Sequence, residues 1–134
     1  MSLPHYAADP PGLAQSAPPV DPEMLQRLRR ELGGNEDSLG HVLSAYLTEL
    51  GSLRDDIRRS SEALAVDPVK YTAHRLGSAS MMVGATRLAG LCRELELFEG
   101  LFGDERIDCL VASIDAESEA VHKAVAELLA SGRR

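Results

Sequence analysis

Hydrophobic residues recur in steps of four and three along most of this chain, and their phase marks where helices start and stop. Leu25, Leu28 and Leu32 share one face of a short first segment. It opens with Asp21 as N-cap and Pro22 at the first helical position, and Gly33 and Gly34 end it. Asn35 can cap a second segment, in which Leu39, Leu43, Tyr46, Leu50, Leu53, Ile57, Ser60 and Leu64 keep the same rhythm. Running to Ala65, that segment predicts a helix roughly 45 Å long.

Asp67 and Pro68 repeat the cap-plus-proline signal and open a third helix, with Val69, Ala73, Leu76, Ser80 and Val83 inward and Gly84 at its end. A fourth helix, capped by Thr86, turns Leu88, Leu91, Leu95, Phe98 and Phe102 inward and stops among Gly100, Gly103 and Asp104. The fifth carries Ile107, Val111, Ile114, Ser118, Val121, Val125 and Leu128. Four successive amphipathic helices with short connections predict an all-α protein: an antiparallel up-down four-helix bundle over residues 21–134, with the short first helix as a lid on one end. Residues 1–20 are rich in Pro and Ala and have no apolar period, so they predict a flexible linker that contains His5 and Tyr6. Such a tail suits a domain carried on a larger protein.

Composition narrows the choice of partner. Of the 134 residues 44% are hydrophobic but only 4% aromatic, with no tryptophan, which favours helix-on-helix packing over half-exposed strands. A net charge of -7 argues against a nucleic-acid partner, which needs a concentrated basic face. No apolar run approaches the length of a membrane span, and two cysteines without a signal peptide point to a cytoplasmic, reducing setting. Cys92 and Cys109 both fall at or beside inward positions and are expected in the core. The acidic pairs Asp55 and Asp56, and Glu94 and Glu96, are expected to serve solubility.

Chemistry concentrates on the third helix, in the stretch "AHRLGSASMMVGA". At 100° per residue, His74 falls about 140° from the stripe that starts at Val69, so it points outward. Helical side chains lean toward the N-terminus, so the residues three and four positions on lean back over the ring. Those residues are Gly77 and Ser78. A mid-helix glycine costs about 1 kcal/mol relative to alanine, and open ground around His74 gives that cost a purpose. Tyr71, Met81 and Met82 lie on the outer face where a solvated helix would show Glu and Lys, which suggests a docking face. Met81 or Met82 packing under the first helix is the competing reading. An exposed imidazole, neutral for the most part at physiological pH, can accept and release a phosphoryl group through a ring nitrogen. The chain carries no phosphate-binding glycine loop, nucleotide motif or triad context, so a partner must supply the rest of the chemistry.

The stretch "AHRLGSASMMVGATRLAGLCRELE", residues 73–96, resembles the histidine-containing phosphotransfer (Hpt) domains of multistep two-component phosphorelays. The likeness rests on His74, Leu76, Gly84 ten residues after the histidine, Ala85, Leu88, Cys92, Leu95 and Glu96. It implies that His74 receives a phosphoryl group from a receiver-domain aspartate and passes it to another. It also implies a phosphocarrier rather than an enzyme: a monomer with no cofactor or metal of its own, Mg²⁺ being bound by the partner. The expected partners are response-regulator receiver domains, such as that of a hybrid sensor kinase, with no nucleic acid and no direct membrane contact. Lys70, Tyr71, Arg75, Gly77, Ser78 and Met81 would form the docking surface and phosphate surroundings.

The family usually places lysine three residues after the histidine, where this chain has Gly77. Lys70 should lean away from His74 and Arg75 lies about 100° round the helix, so neither is an obvious substitute. A less stabilised phosphohistidine is the expectation, with lysine at position 77 extending its lifetime. Three other readings compete. A degenerate Hpt-like bundle would dock receivers without carrying phosphate. A carboxylate-bridged metal bundle is suggested by the spacing of Glu119 and His122, but no second such pair exists, and His41 four residues after Asp37 adds little. A plain structural bundle leaves the cleared ground beside His74 unexplained.

Overall fold

The computed structural model describes residues 18–100 and 103–132. Among the described residues five helices follow one another: α1 (Pro22–Glu31), α2 (Glu36–Glu62), α3 (Val66–Val83), α4 (Thr86–Glu96) and α5 (Glu105–Gly132). No strand occurs among the described residues. Two starts follow the capping signals. The Asp21 carboxylate accepts from Glu23 N–H at 2.9 Å with Pro22 in the first turn, and the Asn35 side chain accepts from Ser38 N–H at 3.0 Å.

The other two predicted caps are displaced. Helix α3 starts at Val66 behind Ala65, and α4 at Thr86 behind Ala85, neither with a side-chain cap. Each follows a left-handed residue that closes the preceding helix and hands the chain directly into the next. At the end of α2 that residue is Leu64 (φ 56°), with Ala65 N–H on Ser60 O at 2.9 Å; at the end of α3 it is Gly84 (φ 89°), with Ala85 N–H on Ser80 O at 2.8 Å. Asp67 and Pro68 therefore sit within the first turn of α3. There the carboxylate faces the positive helix end, and the missing proline N–H leaves no hydrogen bond broken.

The four longer helices pack in a ring, α2 on α3, α3 on α4, α4 on α5 and α5 back on α2, while α1 leans on α3 and α2. Leu50, Ile57, Val69, Leu76, Leu88, Leu95, Ile107, Ile114 and Val121 meet at its centre with almost no exposure. Truncating any of these large side chains to alanine removes about 2–5 kcal/mol. Val20 joins this core one residue before the expected start of ordered packing. Gly84 places α1: its carbonyl accepts from Asp21 N–H at 2.8 Å, and a Cβ there would stand 3.0 Å from Asp21 O and Met24 Cβ.

The inward stripes differ from the expected ones at several positions. Helix α2 ends at Glu62, its last inward residue is Ser61 rather than Ser60, and Leu64 is exposed beyond its end. Over so long a helix the true period of 3.6 carries the inward face past a strict alternation of fours and threes. On α4 the deeply buried residue is Cys92, with Leu91 half-buried; Phe98 packs on the core from just beyond the helix. Phe102 lies outside the described residues, as do residues 1–17 of the expected linker. On α5 Leu110 is fully buried where Val111 was expected to be. Cys109 is exposed rather than in the core, because two residues after inward-facing Ile107 is about 200° round the helix.

Polar contacts tie neighbouring helices. Tyr46 Oη and Ser80 Oγ share a buried hydrogen bond of 2.8 Å between α2 and α3. Arg54 of α2 grips Asp115 (2.6 Å) and Glu119 (3.1 Å) of α5. Glu119 is thus an ion-pair partner of Arg54, while His122 is exposed. No helix among the described residues is long and apolar enough to cross a membrane.

Candidate functional site

Ala73, Leu76 and Ser80 press α3 into the ring with no exposure, which fixes the rotation of the helix. That rotation turns His74 outward, with its side chain 63% exposed. The ring is nevertheless not free to spin. Its Nδ1 lies 2.9 Å from Oε2 of Glu96, the last residue of α4. An ionised carboxylate only accepts, so Nδ1 carries the proton and donates it to Glu96. In the neutral ring this tautomer leaves the lone pair on Nε2, pointing away from the carboxylate.

Gly77 allows this contact by its packing. It is half-buried at the α3–α4 contact, and a Cβ added there would stand 3.3 Å from Cys92 Cβ and 3.7 Å from Ala89 O. The glycine lets α4 approach closely enough for Glu96 to reach the imidazole. The first role of Gly77 is therefore helix packing, and the small exposed Ser78 leaves the ground open one residue on. Cys92 beneath the glycine is buried, and burial pushes its thiol up to about 12, so it is a protonated packing group.

A shallow depression of about 360 Å³ opens on this face, lined among others by His74, Gly77, Ser78, Met81, Arg93 and Glu96. A larger one, about 450 Å³, lies between α1, the start of α2 and the end of α5. It contains His41, whose Nδ1 is 2.8 Å from its own helix's Asp37 carbonyl, and it shares no residue with the His74 face.

The remaining predicted residues fall in two groups. Ser78, Met81 and Gly77 line the depression with His74. Tyr71 is exposed, with the Arg75 guanidinium 5.9 Å from its ring centre, and Arg75 pairs with Glu49 of α2 at 2.9 Å. Lys70 leans toward the start of α3, and its Nζ donates to Phe98 O at 2.8 Å beyond the end of α4. Neither Lys70 nor Arg75 lines the depression. Met81 and Met82 are both about half exposed, so neither is hidden under α1.

Glu96 is the site contact that sequence reasoning missed: it was named for the family likeness, but as half of an acidic pair it was expected to serve solubility. It is half-buried and aimed at the imidazole. One signal could have found it: Glu96 lies four residues after Cys92 on the face of α4 that meets α3.

Comparison with known proteins bears on the fold and the family. The crystal structure of histidine-containing phosphotransfer protein B (HptB) from Pseudomonas aeruginosa PAO1 superposes with a TM-score of 0.77 at 23% identity, over 87% of this chain and 98% of that one. That likeness is one of fold. No curated protein sequence matches the chain. The family model for the Hpt domain matches residues 41–131, which include α3, α4, His74 and Glu96. This protein belongs to the Hpt domain family.

Proposed function

We propose that the protein is a phosphorelay intermediate, in which His74 accepts a phosphoryl group from the aspartyl phosphate of one receiver domain and passes it to the aspartate of another. The observation that carries this reading is the imidazole itself: outward-facing, uncovered, and held through Nδ1 by Glu96. The Nε2 lone pair attacks phosphorus, the P–O bond to the donor aspartate breaks, and that aspartate leaves as a carboxylate. The product is an N-phosphoimidazolium that still carries its Nδ1 proton, so no proton has to enter or leave the ring. Its positive charge develops beside the Glu96 carboxylate, where the hydrogen bond becomes charge-assisted. In the second transfer the receiving carboxylate attacks phosphorus, and Nε2 departs with its electron pair.

The chain acts as a carrier rather than an enzyme. It supplies the nucleophile and its orientation, and the receiver supplies Mg²⁺ and most of the stabilisation of the transferring group. Exposed Tyr71 and Met81 beside the imidazole give a receiver an apolar surface to rest on. The ring of pairings among α2 to α5, with short connections, supports an antiparallel up-down four-helix bundle lidded by α1, comprising residues 21–134 behind a linker. A monomer in the cytoplasm fits this role, and both cysteines are free thiols.

Transfer from a phosphorylated receiver domain tests the reading. Incubation with Mg²⁺ should move phosphate to the wild type in acid-labile, base-stable form, and none to His74→Gln. If His74→Gln bound receivers as the wild type does while neither protein took up phosphate, the chain would be a docking bundle that carries none. The absence of lysine at position 77 is the feature that favours that second reading.

A further inference from the structure

The missing lysine leaves a vacancy in the electrostatics of the proposed site. A phosphoryl group on Nε2 brings up to two negative charges next to the Glu96 carboxylate, and α3 offers nothing to balance them. Arg75 is held by Glu49, Lys70 by the Phe98 carbonyl, and Gly77 has no side chain. On the opposite wall stands Arg93 of α4, one helical turn before Glu96.

Three observations single it out. Arg93 is the cationic side chain lining the depression that also contains His74. It is exposed, and its guanidinium has no hydrogen-bond or ion-pair partner among the described residues, whereas Arg87, on the same helix, pairs with Glu117. Gly90, three residues before it on α4, also lines the depression and meets nothing within 4 Å of where a Cβ would be, so the ground beside Arg93 is open.

We propose that Arg93 binds the phosphoryl oxygens on His74, supplying from α4 the positive charge that relatives place on α3 at the position of Gly77. This deepens the phosphocarrier reading and rests on it. A guanidinium presents paired N–H donors that match two phosphoryl oxygens, which makes arginine suited to reach across a groove. The same side chain has no tie to hold it when His74 is unmodified. Arg93 would therefore distinguish the phosphorylated from the free protein by swinging onto the group.

Phosphoramidate, a small donor that phosphorylates histidine directly, tests this without a partner. Nε2 attacks phosphorus, the donor's P–N bond breaks and ammonia leaves. Wild type, Arg93→Ala, Arg93→Lys and His74→Gln are each followed by ³¹P NMR. Arg93→Ala should lower the steady-state occupancy and lifetime of the phosphohistidine about three- to tenfold, the range of a partly screened charge-assisted bond. It should also make the phosphoryl group titrate at higher pH, a change that a merely structural role would not produce. Arg93→Lys, which keeps the positive charge, should stay closer to the wild type in both respects, and the urea midpoint should be unchanged because the residue is exposed. Equal occupancy, lifetime and titration in wild type and Arg93→Ala would overturn the role of Arg93 while leaving the carrier intact. Label that survives His74→Gln, or a wild type that takes none, would overturn the carrier reading and this inference with it.

Discussion

Glu96 meets His74 across 22 residues of sequence and from a different helix, with its Oε2 2.9 Å from the imidazole Nδ1. In the proposed transfer the pair would select which nitrogen acts as nucleophile and would place a negative charge where the phosphorylated ring becomes positive. A hydrogen bond to a charged group contributes about 1.5–3 kcal/mol, or roughly tenfold to a hundredfold in an equilibrium or rate. Glu96→Ala should therefore slow phosphoryl uptake by about tenfold or more. Glu96→Gln, whose amide oxygen can still accept from Nδ1, should lose less. Rates of phosphoramidate labelling check the order wild type, Gln, Ala, and equal rates in all three would remove the positioning role of Glu96.

Gly77 should resist substitution where another mid-helix glycine does not. A methyl group at 77 must push against Cys92 Cβ at 3.3 Å, an overpacking cost of about 1–3 kcal/mol, set against the gain of about 1 kcal/mol in helix propensity. Gly77→Ala should thus be neutral to destabilising, and by parting α3 from α4 it should weaken the His74–Glu96 contact. Gly51 in α2 has nothing within 4 Å of its Cβ position, so Gly51→Ala should stabilise by about 0.5–1 kcal/mol. Urea denaturation of the two variants settles the contrast; a stabilised Gly77→Ala would refute the close-packing account. The same crowding limits what lysine at 77 can do, since its Cβ meets the same neighbour.

Alkali should loosen the core. Burial pushes Cys92 up from 9.0 to about 12 and Tyr46 up from 10.0 to about 12. Both folded values are raised, so the stability they contribute is complete below the ordinary values and is lost as pH rises through the folded ones. Between about pH 9 and pH 12 the unfolded chain gains by releasing both protons, on the order of a few kcal/mol in total. Urea midpoints should fall across that window, and Cys92→Ala should fall less steeply than the wild type. Parallel curves for the two proteins would contradict the thiol's share.

Much of the fold was legible because burial on a helix is periodic. The stripes Val69, Ala73, Leu76 and Ser80, and Ile107, Ile114, Ser118, Val121 and Val125, emerge from spacing alone, and the phase of the first turns His74 outward. What failed depends on where a helix stops or on what faces it. Leu64 lies outside the core because the chain enters a left-handed turn there, a conformation that leucine does not advertise. The contact of Glu96 with the imidazole and the packing of Gly77 on Cys92 were not legible because each depends on the opposite helix: the carboxylate on the imidazole it reaches, the glycine on Cys92 beneath it. Single-helix geometry cannot register such a contact. Arg93 was overlooked for the same reason, since its groove exists only once α3 and α4 are side by side.

The central claim concerns one atom, Nε2 of His74. It is tested most directly by NMR of protein with ¹⁵N-labelled histidine after phosphorylation. The account predicts phosphorus coupled to Nε2 of His74 alone, with a proton retained on Nδ1 opposite Glu96. Phosphorus on Nδ1, on another histidine, or on no histidine would contradict it.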